Sequence, residues 1–72
     1  MIHIGDVIIY PVGTNPYHQD TENPYRIGPD RVKALRQLRD TGALPQGFAA
    51  WQDSKRRVIT DPAEIDFGGI RD

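Results

Sequence analysis

His18, Asp20 and Glu22 sit at alternate positions of one short stretch, three side chains that can each offer a nitrogen or oxygen to a metal ion. Protein metal sites need preorganised ligands in a closed set, and this stretch has no fourth donor. A polar surface loop accounts for the pattern, so no metal site is expected. His3 lies among apolar residues and reads as a hydrogen-bonded surface histidine rather than a base. Asp66-Phe67-Gly68 matches a kinase tripeptide, but that tripeptide works only among catalytic loops that 72 residues cannot house. Ser54 has no histidine at the spacing of a nucleophile and its base, and Gly68-Gly69 precedes no helix that could hold a phosphate. Cysteine is absent, which excludes disulfides, thiolate metal sites and thiol chemistry. No catalytic constellation survives and no cofactor is implied. The chain is expected not to be an enzyme.

What remains is an inventory suited to binding. Tyr10, Tyr17, Tyr25 and Trp51 are aromatic anchors of the kind enriched at interface hot spots, together with arginine. Trp51 is expected in the core of so small a domain. Tyr17 and Tyr25 lie in a proline-rich stretch where a core and a surface role remain equally open. The formal net charge is −1, from nine Lys and Arg against ten Asp and Glu. That sum hides a segregation. Residues 1–25 carry three acids and no Lys or Arg, and residues 58–72 carry four acids against Arg71. Between them, eight cations face only Asp30, Asp40 and Asp53, which leaves the middle segment strongly positive. Arg31, Lys33, Arg36 and Arg39 fall in one part of that segment, and Lys55, Arg56 and Arg57 in another. The bias toward arginine favours planar, bidentate recognition of carboxylate or phosphate. A free-standing nucleic-acid binder would be basic overall, and this chain is not.

The elements that position these groups follow from hydrophobic pattern and turn residues. Met1–Val12 is β-branched and aromatic, interrupted at Gly5-Asp6 by a turn or bulge and ended by Pro11 and Gly13. Residues 13–29 hold Gly13, Pro16, Pro24, Gly28 and Pro29 and predict a long loop. Pro29-Asp30 opens a helix over about 30–41, with proline in the first turn and an acid near the positive end of the dipole. Val32, Leu35 and Leu38, with Ala34 beside them, form its apolar stripe, and Lys33, Arg36 and Arg39 form a cationic flank. Gly42 in the left-handed region and Pro45 stop it. Residues 48–60 read as a hairpin around Gln52–Arg56. The expected fold class is α+β: one helix packed on a small antiparallel sheet built from the N-terminal strand and the 48–60 hairpin. Residues 1–65 make a single domain, and 66–72 a flexible acidic tail.

A chain this short buries only about 60% of its unfolded surface, which is near the limit for one independent core. No apolar run approaches the length of a membrane span, and the N-terminus has no basic n-region, so neither membrane nor export is expected.

Ile4-Gly5-Asp6-Val7-Ile8-Ile9-Tyr10-Pro11 resembles the first strand of the polymerase-interacting SH3-like domain of CarD-type regulators and transcription-repair coupling factors. There a Gly-Asp turn precedes a short aliphatic strand ending in Tyr-Pro, with a glycine a few residues on. Here Gly13 comes one position early, and the long loop and helix stand where further barrel strands would be. In size, lack of cysteine and N-terminal strand, the whole chain is similar to the small RNA polymerase-binding regulators of lytic phages of xanthomonads, which inhibit initiation and promote antitermination. These resemblances imply a monomeric module in the host bacterial cytoplasm that binds bacterial RNA polymerase by occlusion or clamping, with possible contact to nucleic acid in the complex. The implied contact surface joins Tyr10, Tyr17 and Tyr25 to the cations of the helix and hairpin. The rival expectation is a small phage DNA-binding protein using the same basic helix and hairpin.

Overall fold

The structure is a computed structural model that describes residues 1–18 and 23–70. The N-terminal β-branched run does not stay one strand. Ile4–Asp6 close a single 3-10 turn, which leaves β1 (Ile2–His3) before it and β2 (Val7–Pro11) after it. β2 pairs antiparallel with β3 (Phe48–Gln52), from Val7 opposite Gln52 to Pro11 opposite Phe48. β3 pairs antiparallel with β4 (Arg57–Val58), so the sheet runs β2-β3-β4. β1 instead pairs in parallel with β5 (Ile65–Asp66), Ile2 opposite Ile65 and His3 opposite Asp66. The fold is α+β, as the pattern predicts, with the β1–β5 pair added.

The helix α1 spans Pro29–Thr41. Proline in the first turn loses no hydrogen bond, because the first N–H groups of a helix have no partner within it. Gly42 ends the helix at φ 77°, a conformation that penalises any side chain, and its N–H donates to the Leu38 carbonyl at 2.9 Å. The buried face is Ala34, Leu35 and Leu38. Val32, expected in the stripe, is only half-buried and lies at the rim of a cleft. Ala34 is buried in its place.

The core joins Ile2, Val7, Ile9, Ala34, Leu35, Leu38, Ala50 and Ile65. Strand alternation explains which residues face it. Val7 and Ile9 on β2 and Ala50 on β3 are buried, and so is the polar Gln52, whose Oε1 accepts from Arg57 Nε at 3.1 Å. Ile8, Tyr10 and Trp51 belong to the other face of the sheet. Tyr10 is only 9% exposed there and meets Trp51 edge-on, ring centroids 6.3 Å apart.

The domain does not stop at residue 65. Asp61 caps a 3-10 turn at Pro62–Glu64 by accepting from Ala63 N, and Asp66 caps a second at Phe67–Gly69 by accepting from Gly68 N. These turns lay Phe67 and Ile70 against the core beside Ile4. The tail expected at 66–72 is therefore packed as far as residue 70. Its apolar partners, Ile2 and Ile4, lie some sixty positions away along the chain, so no local pattern announces them. Arg71 and Asp72 lie outside the described residues.

Leu35 is 2% exposed and among the largest fully buried side chains. Leu35→Ala is expected to lower unfolding free energy by about 2–5 kcal/mol, through lost transfer energy and a residual cavity. Chemical denaturation of the two proteins checks this; unchanged midpoints would contradict the packing of α1 on the sheet.

Candidate functional site

The hairpin tip is an exposed turn fixed by side-chain and main-chain hydrogen bonds to Asp6. β3 and β4 are joined by Asp53–Arg56, closed by Arg56 N donating to Asp53 O at 3.3 Å. Arg56 adopts φ 50°, the left-handed region, at the last position of the turn. A second loop braces this turn from below. Asp53 N donates to the Asp6 carbonyl at 2.9 Å, Ser54 N donates to Asp6 Oδ1 at 2.8 Å, and the Ser54 hydroxyl donates to Asp6 Oδ2. Hydrogen bonds from Ser54 favour the ionised carboxylate and hold Asp6 below the ordinary aspartate range. On this braced turn stand Lys55, Arg56 and Arg57, three consecutive exposed cations.

The other expected contact residues are distributed differently. Tyr10 belongs to the packed outer face of the sheet and is not a surface anchor. Tyr25 is half-buried, edge-on to Phe48 with centroids 4.6 Å apart, and its backbone N–H is fixed by Asn23 Oδ1. Tyr17 is the exposed one, at 46%; it packs edge-on to Trp51, and its hydroxyl accepts from Trp51 Nε1 at 2.9 Å. Trp51 is thus half-buried under the loop rather than in the main core. The loop before α1 is held on both sides of residues 19–22. Asn15 Oδ1 accepts from Tyr17 N, and Asn23 Nδ2 donates to the Ile9 carbonyl. Such side-chain-to-backbone bonds replace the ladder that a loop lacks. Asp20 and Glu22 of the His18-x-Asp20-x-Glu22 pattern lie outside the described residues.

The cationic flank of α1 also divides. Lys33 is exposed and borders a cleft with Pro24, Tyr25 and Pro45. Arg39 is half-buried and pairs with Asp40, Nε to Oδ1 at 2.8 Å, and Arg36 is half-buried as well. Arg31 turns inward: Nη2 donates to the Ile4 carbonyl at 2.8 Å, and burial pulls its pKa down. Lys55 and Arg57 border a different cleft, with Met1, Ile2, Gln52 and Glu64, which shares no residue with that of Lys33. Of the expected contact residues, Tyr10 and Arg31 are thus turned into the fold, while Tyr17, Lys33, Lys55, Arg56 and Arg57 are exposed. The helical periodicity correctly puts Lys33, Arg36 and Arg39 on neighbouring arcs but cannot say what lies against each arc.

Asp6 and Ser54 escape a reading of the sequence because their partnership spans 48 positions. The available signal was Gly5-Asp6 itself, a turn pair at a strand break. Among the described residues no cluster of three His, Asp or Glu side chains could hold a metal ion, and no helix is long and apolar enough to cross a membrane. No protein-family model matches the chain, and neither the curated proteins nor the solved structures include a significant match.

Because Asp6 is more acidic folded than unfolded, its contribution to hairpin order is complete above the ordinary aspartate value of 3.8 and fades as pH falls through the lower folded value. The Ser54 amide resonance should follow that titration in an acid series. In Asp6→Asn the titration should vanish; its persistence would assign the effect to another group.

Proposed function

We propose that the chain is a protein-binding module that docks on an acidic surface of bacterial RNA polymerase and regulates transcription by occlusion or clamping. The observation that carries this reading is the braced hairpin tip, which presents Lys55 and Arg56 on a turn fixed by Asp6 and Ser54, with the exposed Arg57 beside them tied by Nε to Gln52. Fixing the turn before contact reduces the conformational entropy lost on binding. Arginine gives the tip planar donors for carboxylates. Polymerase as the partner is what the Ile4–Pro11 resemblance and the resemblance of the whole chain imply. The mechanism needs only differential affinity: a partner that fits one state of the polymerase better shifts the population toward it.

Two features favour a protein partner over a nucleic acid. The chain is net negative, and the turn that carries the cations also carries Asp53 and is bonded to the Asp6 carboxylate. Direct DNA binding also has a separate signature. Affinity would fall with salt at a logarithmic slope of about −0.9 for each phosphate contacted.

Reversing the tip charges in Lys55→Glu/Arg56→Glu is expected to slow association with purified bacterial polymerase about tenfold at low salt. Both side chains are exposed, so circular dichroism and melting temperature should stay close to wild type. Surface plasmon resonance gives the rates. A folded double variant that associates as fast as wild type removes the tip from the interface, and binding of both forms to DNA but not polymerase overturns the reading.

A further inference from the structure

A second site is lined by Ile4 and Gly5 of the Ile4–Asp6 turn and by no residue of the hairpin tip. A cleft of about 620 Å³ opens between the first turns of α1, the β1–β5 pair and the C-terminal 3-10 turn. Its floor is apolar, from Ile4, Val32, Leu35 and Ile70, and its polar groups are His3, Arg31 and Asp66. That volume lies within the range of small-molecule sites, as does the combination of an apolar lining with a few polar groups.

Arg31 is the feature that calls for a ligand. It is half-buried, and desolvation lowers its pKa, yet no carboxylate pairs with it among the described residues. Its Nη2 is satisfied by the Ile4 carbonyl, while Nη1 is buried with no acceptor. A desolvated guanidinium without a counter-charge costs stability that an arriving anion would return. The Ile4 contact also fixes the plane of the guanidinium before any ligand arrives. Asp66 limits the charge the cleft accepts, because its carboxylate shares the wall and would repel a dianion.

We propose that this cleft binds a small monocarboxylate with an apolar body, the carboxylate on Arg31 and the body over Ile4, Val32, Leu35 and Ile70. The proposal stands apart from the hairpin's role, since none of these residues lies in the tip.

Two variants address the two halves of the site. Arg31→Gln removes the charge. Gly5→Leu adds bulk at the edge of the cleft: Gly5 lines it, a Cβ there meets nothing within 4 Å, and its backbone is not in the left-handed region. The experiment is a titration of the full chain with hexanoate, hexylamine and hexyl phosphate, followed by amide and arginine Nε resonances. Hexanoate should give saturable shifts centred on Gly5, Arg31, Gly69 and Ile70. Hexylamine should give none, and the largely dianionic hexyl phosphate should bind more weakly than hexanoate. Arg31→Gln should weaken hexanoate about tenfold or more, the scale of a charge-assisted hydrogen bond. Gly5→Leu should abolish the shifts while leaving the spectrum folded. Absence of saturable hexanoate shifts, equal binding of hexylamine, tighter binding of hexyl phosphate, or a folded Gly5→Leu protein with wild-type affinity would each overturn the proposal.

Discussion

The short turn at Ile4–Asp6 adds polar ties between the helix, the hairpin and the N-terminal strands. Its main-chain direction splits the N-terminal strand, sending β1 to β5 and β2 to β3. The Ile4 carbonyl takes the Arg31 guanidinium and so docks the start of α1. The Asp6 carboxylate accepts from Ser54 and its carbonyl from Asp53 N, and so they fix the hairpin tip. Three residues thereby set the position of the helix, the hairpin and the C-terminal segment. In a chain too short for a large core, such long-range polar ties replace part of what burial supplies in bigger domains.

The same economy explains the two sides of the sheet. Its inner face packs Val7, Ile9 and Ala50 against α1, and its outer face would be left wet by a fold with only one helix. The loop after β2 covers it instead, through Tyr17 on Trp51 and Trp51 on Tyr10. Tyrosine and tryptophan suit this place, because each buries a ring while keeping a polar tip for a partner, here the bond from Trp51 Nε1 to Tyr17 Oη. The loop is thus part of the fold on the residues described, whatever else it does.

The sequence foretold elements whose signals are local. The helix ends at Gly42 as its left-handed glycine requires, and the hairpin forms, although Gln52, read as part of its polar connection, is the buried last residue of β3 and the turn is Asp53–Arg56. It also placed Lys55, Arg56 and Arg57 in the open, where three adjacent cations at a turn belong. It misjudged what depends on distant pairing. Tyr10 and Arg31 looked like surface groups, yet one packs on Trp51 and the other bonds Ile4, 27 positions away. Residues 66–72 looked like a tail because two glycines and the acids around them hide Phe67 and Ile70, which pack against the core. Charge along the chain was legible, and its distribution over faces was not.

The claim on which the functional account turns is that the tip works because it is held, and not only because it is positive. Asp6→Ala separates these causes, since it removes both carboxylate bonds to Ser54 and one negative charge, leaves the main-chain bond from Asp53 N, and touches no cation. The measurement is the dissociation rate of Asp6→Ala from bacterial RNA polymerase, made on protein whose amide spectrum retains the β2–β3 pairing. The account predicts faster dissociation than wild type despite the gain in net positive charge. Dissociation as slow as wild type, or slower, would contradict it.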